Sequence, residues 1–158
     1  MSSISIITGG GSGIGRALAK RLASRAQPVL IVGRNGNKLN ETKDQSCNPS
    51  YINTVVADVS SPEGRDTILQ SLEESGIQHV TNLVHNAALL EPVGPLLDVK
   101  MDDWRKHMAT NVEGPLFLTQ SLVEMLKRGD DGEKGGRVLH VSSGAAHHGY
   151  RGWVSFAQ

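Results

Sequence analysis

The feature that most constrains the fold is a regular alternation of short apolar runs with helical patterns along the chain. Five runs rich in β-branched residues predict strands at residues 4–8, 29–32, 52–57, 80–85 and 137–141. Strands that alternate with helices pair in parallel through right-handed crossovers. Nearly continuous apolar segments such as "VLIV" are typical of parallel strands buried on both faces. The sequence therefore predicts an α/β fold with a doubly wound parallel sheet.

Two of the intervening helices have recognisable signals. The first carries an apolar stripe at helical spacing, formed by Ile14, Leu18 and Leu22. The second opens with a capping box made by Ser60 and Glu63, with Pro62 in its first turn. Gly76 is expected to end this helix.

A long helical stretch is predicted from about residue 101 to about residue 127. Its apolar stripe consists of Leu118, Leu122, Met125 and Leu126. Pro115 lies inside this stretch, and proline has no N–H and pushes against the carbonyl four residues back, which belongs to Asn111. We therefore expect the Asn111 carbonyl to lack its helical hydrogen bond.

Composition argues against several classes of partner. Lys plus Arg and Asp plus Glu both number 16, so no net charge favours nucleic acid or an anionic membrane. Cys47 is the only cysteine, which excludes an internal disulfide and a cysteine metal cluster and suits a reducing compartment. We find no secretory signal pattern and no apolar run of membrane-spanning length. We expect a soluble cytoplasmic protein, and the length predicts one domain over residues 1–158.

A glycine-rich segment, "TGGGSGIG" at residues 8–15, lies between the first strand and the first helix. Glycines there let a phosphate approach backbone amides at the positive end of the helix dipole. A tight strand-to-helix turn would also use glycines, and the spacing differs from the G-x-G-x-x-G dinucleotide fingerprint. Other residues must therefore decide between a phosphate site and a simple turn.

Several further motifs occur in a definite order. They are "ADV" at 57–59, "HNAA" at 85–88, Asn111, and "VSS" at 141–143. Together with the glycine segment they resemble the short-chain dehydrogenase/reductase family over essentially the whole chain. "EPVGPLLD" is similar to the subgroup near sepiapterin and benzil reductases. The resemblance implies a Rossmann fold with strand order 3-2-1-4-5 as far as the chain runs, with a nicotinamide dinucleotide across the carboxyl edge of the sheet.

The resemblance also implies roles for individual positions. The residues that would hold the pyrophosphate and the adenosine ribose are Gly9, Ser12, Gly13, Ile14 and Gly15. Those that would contact adenine are Asp58 and Val59. Those that would line the nicotinamide ribose are Asn86, Ala87 and Ala88. His85 and Ala88 depart from the usual family pattern Asn-Asn-Ala-Gly, and ordinary caps and turns could also explain these residue types.

The end of the second strand bears on which dinucleotide is bound. An Asp or Glu there would accept hydrogen bonds from a ribose 2′-hydroxyl, but the chain has Gly33 followed by Arg34. A guanidinium offers a forked cation to a phosphate. Arg34 could also be an ordinary solvated arginine, but we predict NADP(H) in preference to NAD(H).

The family's chemistry is hydride transfer between the nicotinamide and a small-molecule carbonyl or alcohol, while a tyrosine passes the proton. Ser143 matches the serine that orients the substrate oxygen, with Ser142 as the alternative if the register shifts by one. Asn111 matches the asparagine whose main-chain carbonyl holds a water of the proton relay. His147 and His148 are adjacent, so their side chains diverge, and with no third ligand evident we predict no metal.

The proton-donating tyrosine is not where the resemblance requires it. Family spacing from Ser143 leads to Phe156, and the paired lysine would lie beyond Gln158. Tyr150 is too early and has Val154 four residues on. We therefore expect a truncated chain that lacks its final strands. Two functions stay open: an NADP(H)-dependent oxidoreductase that forms homo-oligomers in its full-length form, or an inactive variant that binds nucleotide or a partner.

Overall fold

The computed structural model describes residues 3–127, 135–148 and 151–153, and in them five parallel strands form one sheet. The strands are β1 (Ser3–Thr8), β2 (Val29–Gly33), β3 (Ile52–Val56), β4 (His79–His85) and β5 (Arg137–His140). Their order is β3-β2-β1-β4-β5, which confirms the prediction. Each strand boundary lies within one residue of the predicted one. The cause is clearest in β2, an unbroken apolar run that is buried over four residues, whereas β5 is exposed along its length.

The position of β1 creates the main recess of the molecule. It pairs with β2 on one side and β4 on the other, with Ile7 opposite both Ile31 and Val84. The strand order reverses at β1, so the loops that follow β1 and β4 leave the sheet in opposite directions. In such sheets a crevice opens at the carboxyl ends of these two strands.

Helices cover both faces of the sheet. They are α1 (Gly13–Ala23), α2 (Gly36–Asp44), α3 (Pro62–Glu74), α4 (Met101–Met108) and α5 (Gly114–Lys127). One core joins the sheet to α3 and α5 through residues such as Ile68 and Leu118, and the other joins it to α1 and α2 through residues such as Ala19 and Leu39. These two cores confirm the doubly wound arrangement. Within the described residues, no helix is both long and apolar enough to cross a membrane.

The predicted starts of two helices need correction. Ser61, not Ser60, caps α3, and its Oγ accepts a hydrogen bond from the Gly64 N–H at 3.0 Å. The cap lies directly before Pro62 because proline favours the first helical position. Ile14 does not pack with Leu18 and Leu22 against the core, since its side chain is 63% exposed in the crevice.

The long helix predicted for residues 101–127 is interrupted. A π-helical segment, Ala109–Glu113, lies between α4 and α5, and the Gly114 N–H bonds to the Ala109 carbonyl. Pro115 is thereby the second residue of α5, where an N–H is not required. The predicted stripe is present, with Leu118, Leu122 and Leu126 buried and Met125 partly buried.

Candidate active site

The crevice beside β1, called here the switch-point cleft, is the larger of two adjoining recesses at the carboxyl edge of the sheet. Its volume is about 370 Å³. Among the residues that line it are all those predicted to hold a nucleotide except Gly15: Gly9, Ser12, Gly13, Ile14, Arg34, Asp58, Val59, Asn86, Ala87 and Ala88. Segments from four strands therefore meet at one place.

Gly9 and Gly10 in the loop after β1, and Gly15 in the first turn of α1, each leave no room for a Cβ. Gly9 has a φ of +68°, and a Cβ there would lie 2.8 Å from Asn86 Nδ2. A Cβ on Gly15 would lie 2.5 Å from the Gly9 carbonyl oxygen. Gly15 thus serves the close packing of α1 on the loop rather than the lining of the cleft.

The N-terminus of α1 points its first amides at the loop region. The helix begins at Gly13, and the side chain of its N-cap, Ser12, makes no capping hydrogen bond. Uncapped N–H groups at a helix start attract an anionic ligand. The arrangement is therefore suited to a phosphate.

Thr8 and Asn86 fasten the two sides of the cleft to each other. Thr8 Oγ1 accepts hydrogen bonds from the backbone N–H groups of Asn86 and Ala87 at 3.0 and 3.1 Å. Asn86 Nδ2 donates to the carbonyls of Thr8 and Gly9 at 3.0 and 3.1 Å. The glycine loop and the segment after β4 are thus held in a fixed relation.

Arg16 and Thr42 also fix the glycine loop, and sequence analysis identified neither. Arg16 Nη2 donates to the Gly11 carbonyl at 2.6 Å, and Thr42 Oγ1 donates to the Gly10 carbonyl at 3.1 Å. Arg16 also pairs with Glu41 at 3.0 Å and holds the pKa of that carboxyl below its ordinary value. Glu41 and Thr42 lie on α2, which was not predicted. The available signal was Asn35, whose side chain caps α2 by accepting from the Lys38 N–H.

Arg34 has a carboxylate neighbour that the sequence argument did not include. The end of β2 itself carries no carboxylate, but Asp58, which follows β3, lies with Oδ2 at 3.9 Å from Arg34 Nη1. Ser60 donates to the other carboxylate oxygen through its backbone N–H at 3.0 Å and its hydroxyl at 2.7 Å. The Arg34 side chain is 64% exposed, so this pair contributes little to stability and Arg34 can exchange it for another anion.

The second recess, called here the serine cavity, contains the predicted catalytic positions. Its volume is about 190 Å³, and Asn111, Ser142 and Ser143 all line it. Ser143 begins a short 3₁₀ turn, Gly144–Ala146, and its Oγ accepts a hydrogen bond from the Ala145 N–H at 3.2 Å. A hydroxyl has a donor as well as acceptors, so Ser143 can still donate to a substrate oxygen.

Asn111 is held by its side chain, which pairs with the backbone of Leu89. Its Oδ1 accepts from the Leu89 N–H and its Nδ2 donates to the Leu89 carbonyl, both at 2.8 Å. Its main-chain carbonyl lacks the usual partner four residues on because that residue is Pro115. The side chain of Asn111 is therefore occupied by contacts within the protein.

His85, which departs from the family pattern, is buried between β5 and α5. Its Nε2 is 2.8 Å from Thr119 Oγ1, and its ring stacks on His140 with centroids 4.7 Å apart. Burial, with a smaller contribution from His140, lowers the pKa of His85 from 6.5 to about 4. His85 is therefore neutral at physiological pH.

The remaining predicted positions are two histidines and two aromatic residues near the end of the sequence. His147 and His148 are exposed, and no group of three His, Cys, Asp or Glu residues in the described part of the chain could hold a metal ion. Tyr150 and Phe156 lie outside the described residues.

The low pKa of His85 makes stability depend on pH. The unfolded chain binds a proton at this histidine below about pH 6.5, the folded chain only below about pH 4. The contribution is therefore fully present above pH 6.5 and is lost as the pH falls towards 4. Because the ring lines the serine cavity and is not fully enclosed, we expect a loss of only about 1 to 3 kcal/mol in the free energy of unfolding.

The matched variant is His85→Gln, whose longer amide can keep the hydrogen bond that Nε2 makes to Thr119 but does not titrate. Urea denaturation of both proteins between pH 4 and 7.5 should show a steeper decline for the parent chain. Parallel pH dependences would show that the pKa of His85 is the same in the folded and unfolded chains and would contradict the prediction.

Comparison with known proteins agrees with the fold and the cleft. The family model for short chain dehydrogenases matches residues 3–157. Sulfoacetaldehyde reductase 2 of Chromohalobacter salexigens is 32% identical over 126 residues, which cover 80% of this chain and 50% of the relative. Sepiapterin reductase of Chlorobaculum tepidum is 31% identical over 96% of this chain and 63% of its own length.

A solved structure supports the same conclusion. The crystal structure of serine dehydrogenase from Escherichia coli superposes with a TM-score of 0.82 at 25% identity, over 97% of this chain and 68% of that one. The chain spans about half to two-thirds of the length of these relatives. On the family match, the fold and the cleft, the chain belongs to the short-chain dehydrogenase family of oxidoreductases, which bind nicotinamide cofactors.

Proposed function

We propose that this chain binds NADP(H) and belongs to an oxidoreductase that acts on a small-molecule carbonyl or alcohol. The observation that carries the proposal is the switch-point cleft, where Arg34 and the glycine loop line one continuous recess. When bound, the nicotinamide would supply or accept the hydride. The residues of the chain bind the nucleotide, orient the substrate and assist the proton.

The glycine loop supports pyrophosphate binding. Gly9 and Gly13 both have positive φ values, which glycine adopts without strain. A Cβ at Gly9 would meet Asn86, so a side chain at this position would disturb the close approach of loop and ligand. The N-terminus of α1 adds a partial positive charge at the same place.

Arg34 supports the preference for NADP(H). Its exposed guanidinium lies at the carboxyl end of β2, after Gly33, and the one nearby carboxylate, Asp58, already accepts two hydrogen bonds from Ser60. A 2′-phosphate would replace the weak contact with Asp58 by a charge-assisted one. Asp58 in turn holds Arg34 near the cleft before the nucleotide arrives.

We predict that Arg34→Ala weakens NADPH binding and leaves NADH binding unchanged. One charged hydrogen bond contributes on the order of 1.5 to 3 kcal/mol, or about 10-fold to 100-fold in affinity. Isothermal titration calorimetry of the chain with each nucleotide measures the affinities for NADPH and for NADH. The control is Arg25→Ala, an exposed arginine outside the cleft lining. Equal affinity for the two nucleotides in the parent chain would overturn the assignment.

Ser143 and Asn111 support a role for the serine cavity in the reaction. The Ser143 hydroxyl can donate to the substrate oxygen, and the Asn111 carbonyl can accept from a water. Both line the cavity that adjoins Ala87 and Ala88, which also line the switch-point cleft. A carbonyl substrate placed there would face the nucleotide.

A second candidate function is nucleotide binding without turnover, and Phe156 is the observation that favours it. Phenylalanine can fill the space of a tyrosine ring but has no hydroxyl for the developing alkoxide. General acid catalysis contributes about 10² to 10⁴-fold. Neither a serine hydroxyl nor a backbone carbonyl supplies an equivalent acid.

We predict that the chain as it stands binds NADPH but does not oxidise it at a useful rate. Phe156 supplies no hydroxyl to protonate the developing alkoxide, and the assay is NADPH oxidation with a panel of reactive diketones and quinones. Substantial turnover that Ser143→Ala abolishes would show that a different residue acts as the acid.

We further propose that the protein associates through α5. Leu116, Phe117 and Val123 are 59, 39 and 37% exposed on this helix, and a largely apolar groove runs along it. Exposed apolar surface of this kind marks interfaces between copies of a chain.

Sedimentation velocity at high micromolar concentration should show self-association, because burial of these side chains removes apolar surface from water. Leu116→Glu should reduce it. Leu97→Glu, at a leucine that is 96% exposed in the turn after β4, serves as the control. A single monomeric species for the parent chain would contradict the proposal.

The single thiol supports a proposal about the compartment. Cys47 is exposed and carries a free thiol. An exposed thiol persists best where glutathione keeps it reduced. We therefore propose a cytoplasmic location.

A further inference from the structure

His107 on α4 joins two segments that border the cleft, although the sequence did not single it out. Its side chain is buried at 2% exposure. Nδ1 is 2.9 Å from the Glu91 carbonyl oxygen, and Nε2 is 3.1 Å from Asn111 Nδ2. One ring thus contacts both the segment after β4 and the π-helical segment.

The orientation of the Asn111 amide determines what His107 must offer. The Leu89 N–H can bond only to an oxygen, and the Leu89 carbonyl only to an N–H. A flipped amide would place donor against donor and acceptor against acceptor. Leu89 therefore fixes the Asn111 nitrogen as the atom that faces His107.

The two contacts of His107 then select one protonation state. The Glu91 carbonyl is an acceptor, so Nδ1 must carry a hydrogen. The Asn111 amide nitrogen is a donor, so Nε2 must have a lone pair. Only the neutral Nδ1–H form satisfies both, since the other tautomer and the imidazolium place Nε2–H against the amide N–H.

We propose that His107 is a positioning residue, which in its neutral Nδ1–H form holds the Asn111 amide against the Leu89 backbone and fixes the Glu91 carbonyl. The contacts of His107 with Asn111 and with the Glu91 carbonyl are called here the clamp. Leu89 lines the switch-point cleft and Asn111 lines the serine cavity, so the clamp lies where the two recesses meet. Its effect on a ligand rests on the proposed function, which places the nicotinamide at this end. The contacts themselves do not depend on that function.

The clamp can be tested without a ligand by nitrogen-15 NMR of the chain. At neutral pH the His107 shifts should be those of a protonated Nδ1 and an unprotonated Nε2. A ring protonated at Nε2, or at both nitrogens, would overturn the inference.

Hydrogen exchange at the Leu89 amide tests whether the ring positions Asn111. His107→Phe keeps a ring but removes both contacts, and exchange should quicken about tenfold. His107→Gln can accept from Asn111 and should restore slow exchange, whereas His107→Asn can reach only Glu91 and should not. Unchanged exchange in His107→Phe, or equal rescue by Asn and Gln, would overturn the role.

Ligand titration tests the consequence for the cleft. His107→Phe should weaken NADPH binding about fivefold to tenfold and leave adenosine 2′,5′-bisphosphate binding unchanged, because that compound has no nicotinamide end. An equal loss for both compounds would indicate general damage and overturn the positioning role. If the parent chain bound neither, the proposed function would be wrong, while the NMR and exchange measurements would still decide the clamp.

Discussion

The hydroxyl of Thr8 connects the central strand to its neighbour, and the geometry of the cleft depends on this connection. The side chain is buried, accepts from two backbone N–H groups after β4 and donates to the Val84 carbonyl at 3.3 Å. All donor and acceptor sites of the hydroxyl are thereby used. Asn86, held by this contact, in turn bonds to the carbonyl of Gly9. The distance between the glycine loop and the β4 segment therefore follows largely from one residue.

The strands and their order could be predicted because their physical cause is local. A parallel strand covered on both faces needs an unbroken apolar run, as β2 has. Each of the five predicted runs became a strand, although β5 is exposed. The glycine loop was equally visible, since close backbone approach excludes a side chain at Gly9 and Gly15.

Other elements could not be predicted because their stability comes from a few contacts. In α2 only Leu39 and Thr42 are buried, so this helix has no apolar stripe. Because α2 was not predicted, Glu41 and Thr42 could not be recognised from the sequence as partners of Arg16. The Arg34–Asp58 contact likewise joins two strand ends that are neighbours in space and 24 residues apart in the chain. The sequence predicted a place for both residues in the nucleotide site but not their contact.

The hydrogen bonds around the glycine loop have a thermodynamic consequence. Arg16, Thr42 and Asn86 each donate to a loop carbonyl, so the loop is anchored by side chains from three different elements. A loop anchored in this way has little conformational freedom left to lose when a ligand arrives. Preorganisation raises affinity mainly by reducing that entropic penalty. Binding at this loop should therefore be accompanied by little structural change in the protein, and a phosphate would meet a surface already arranged to receive it.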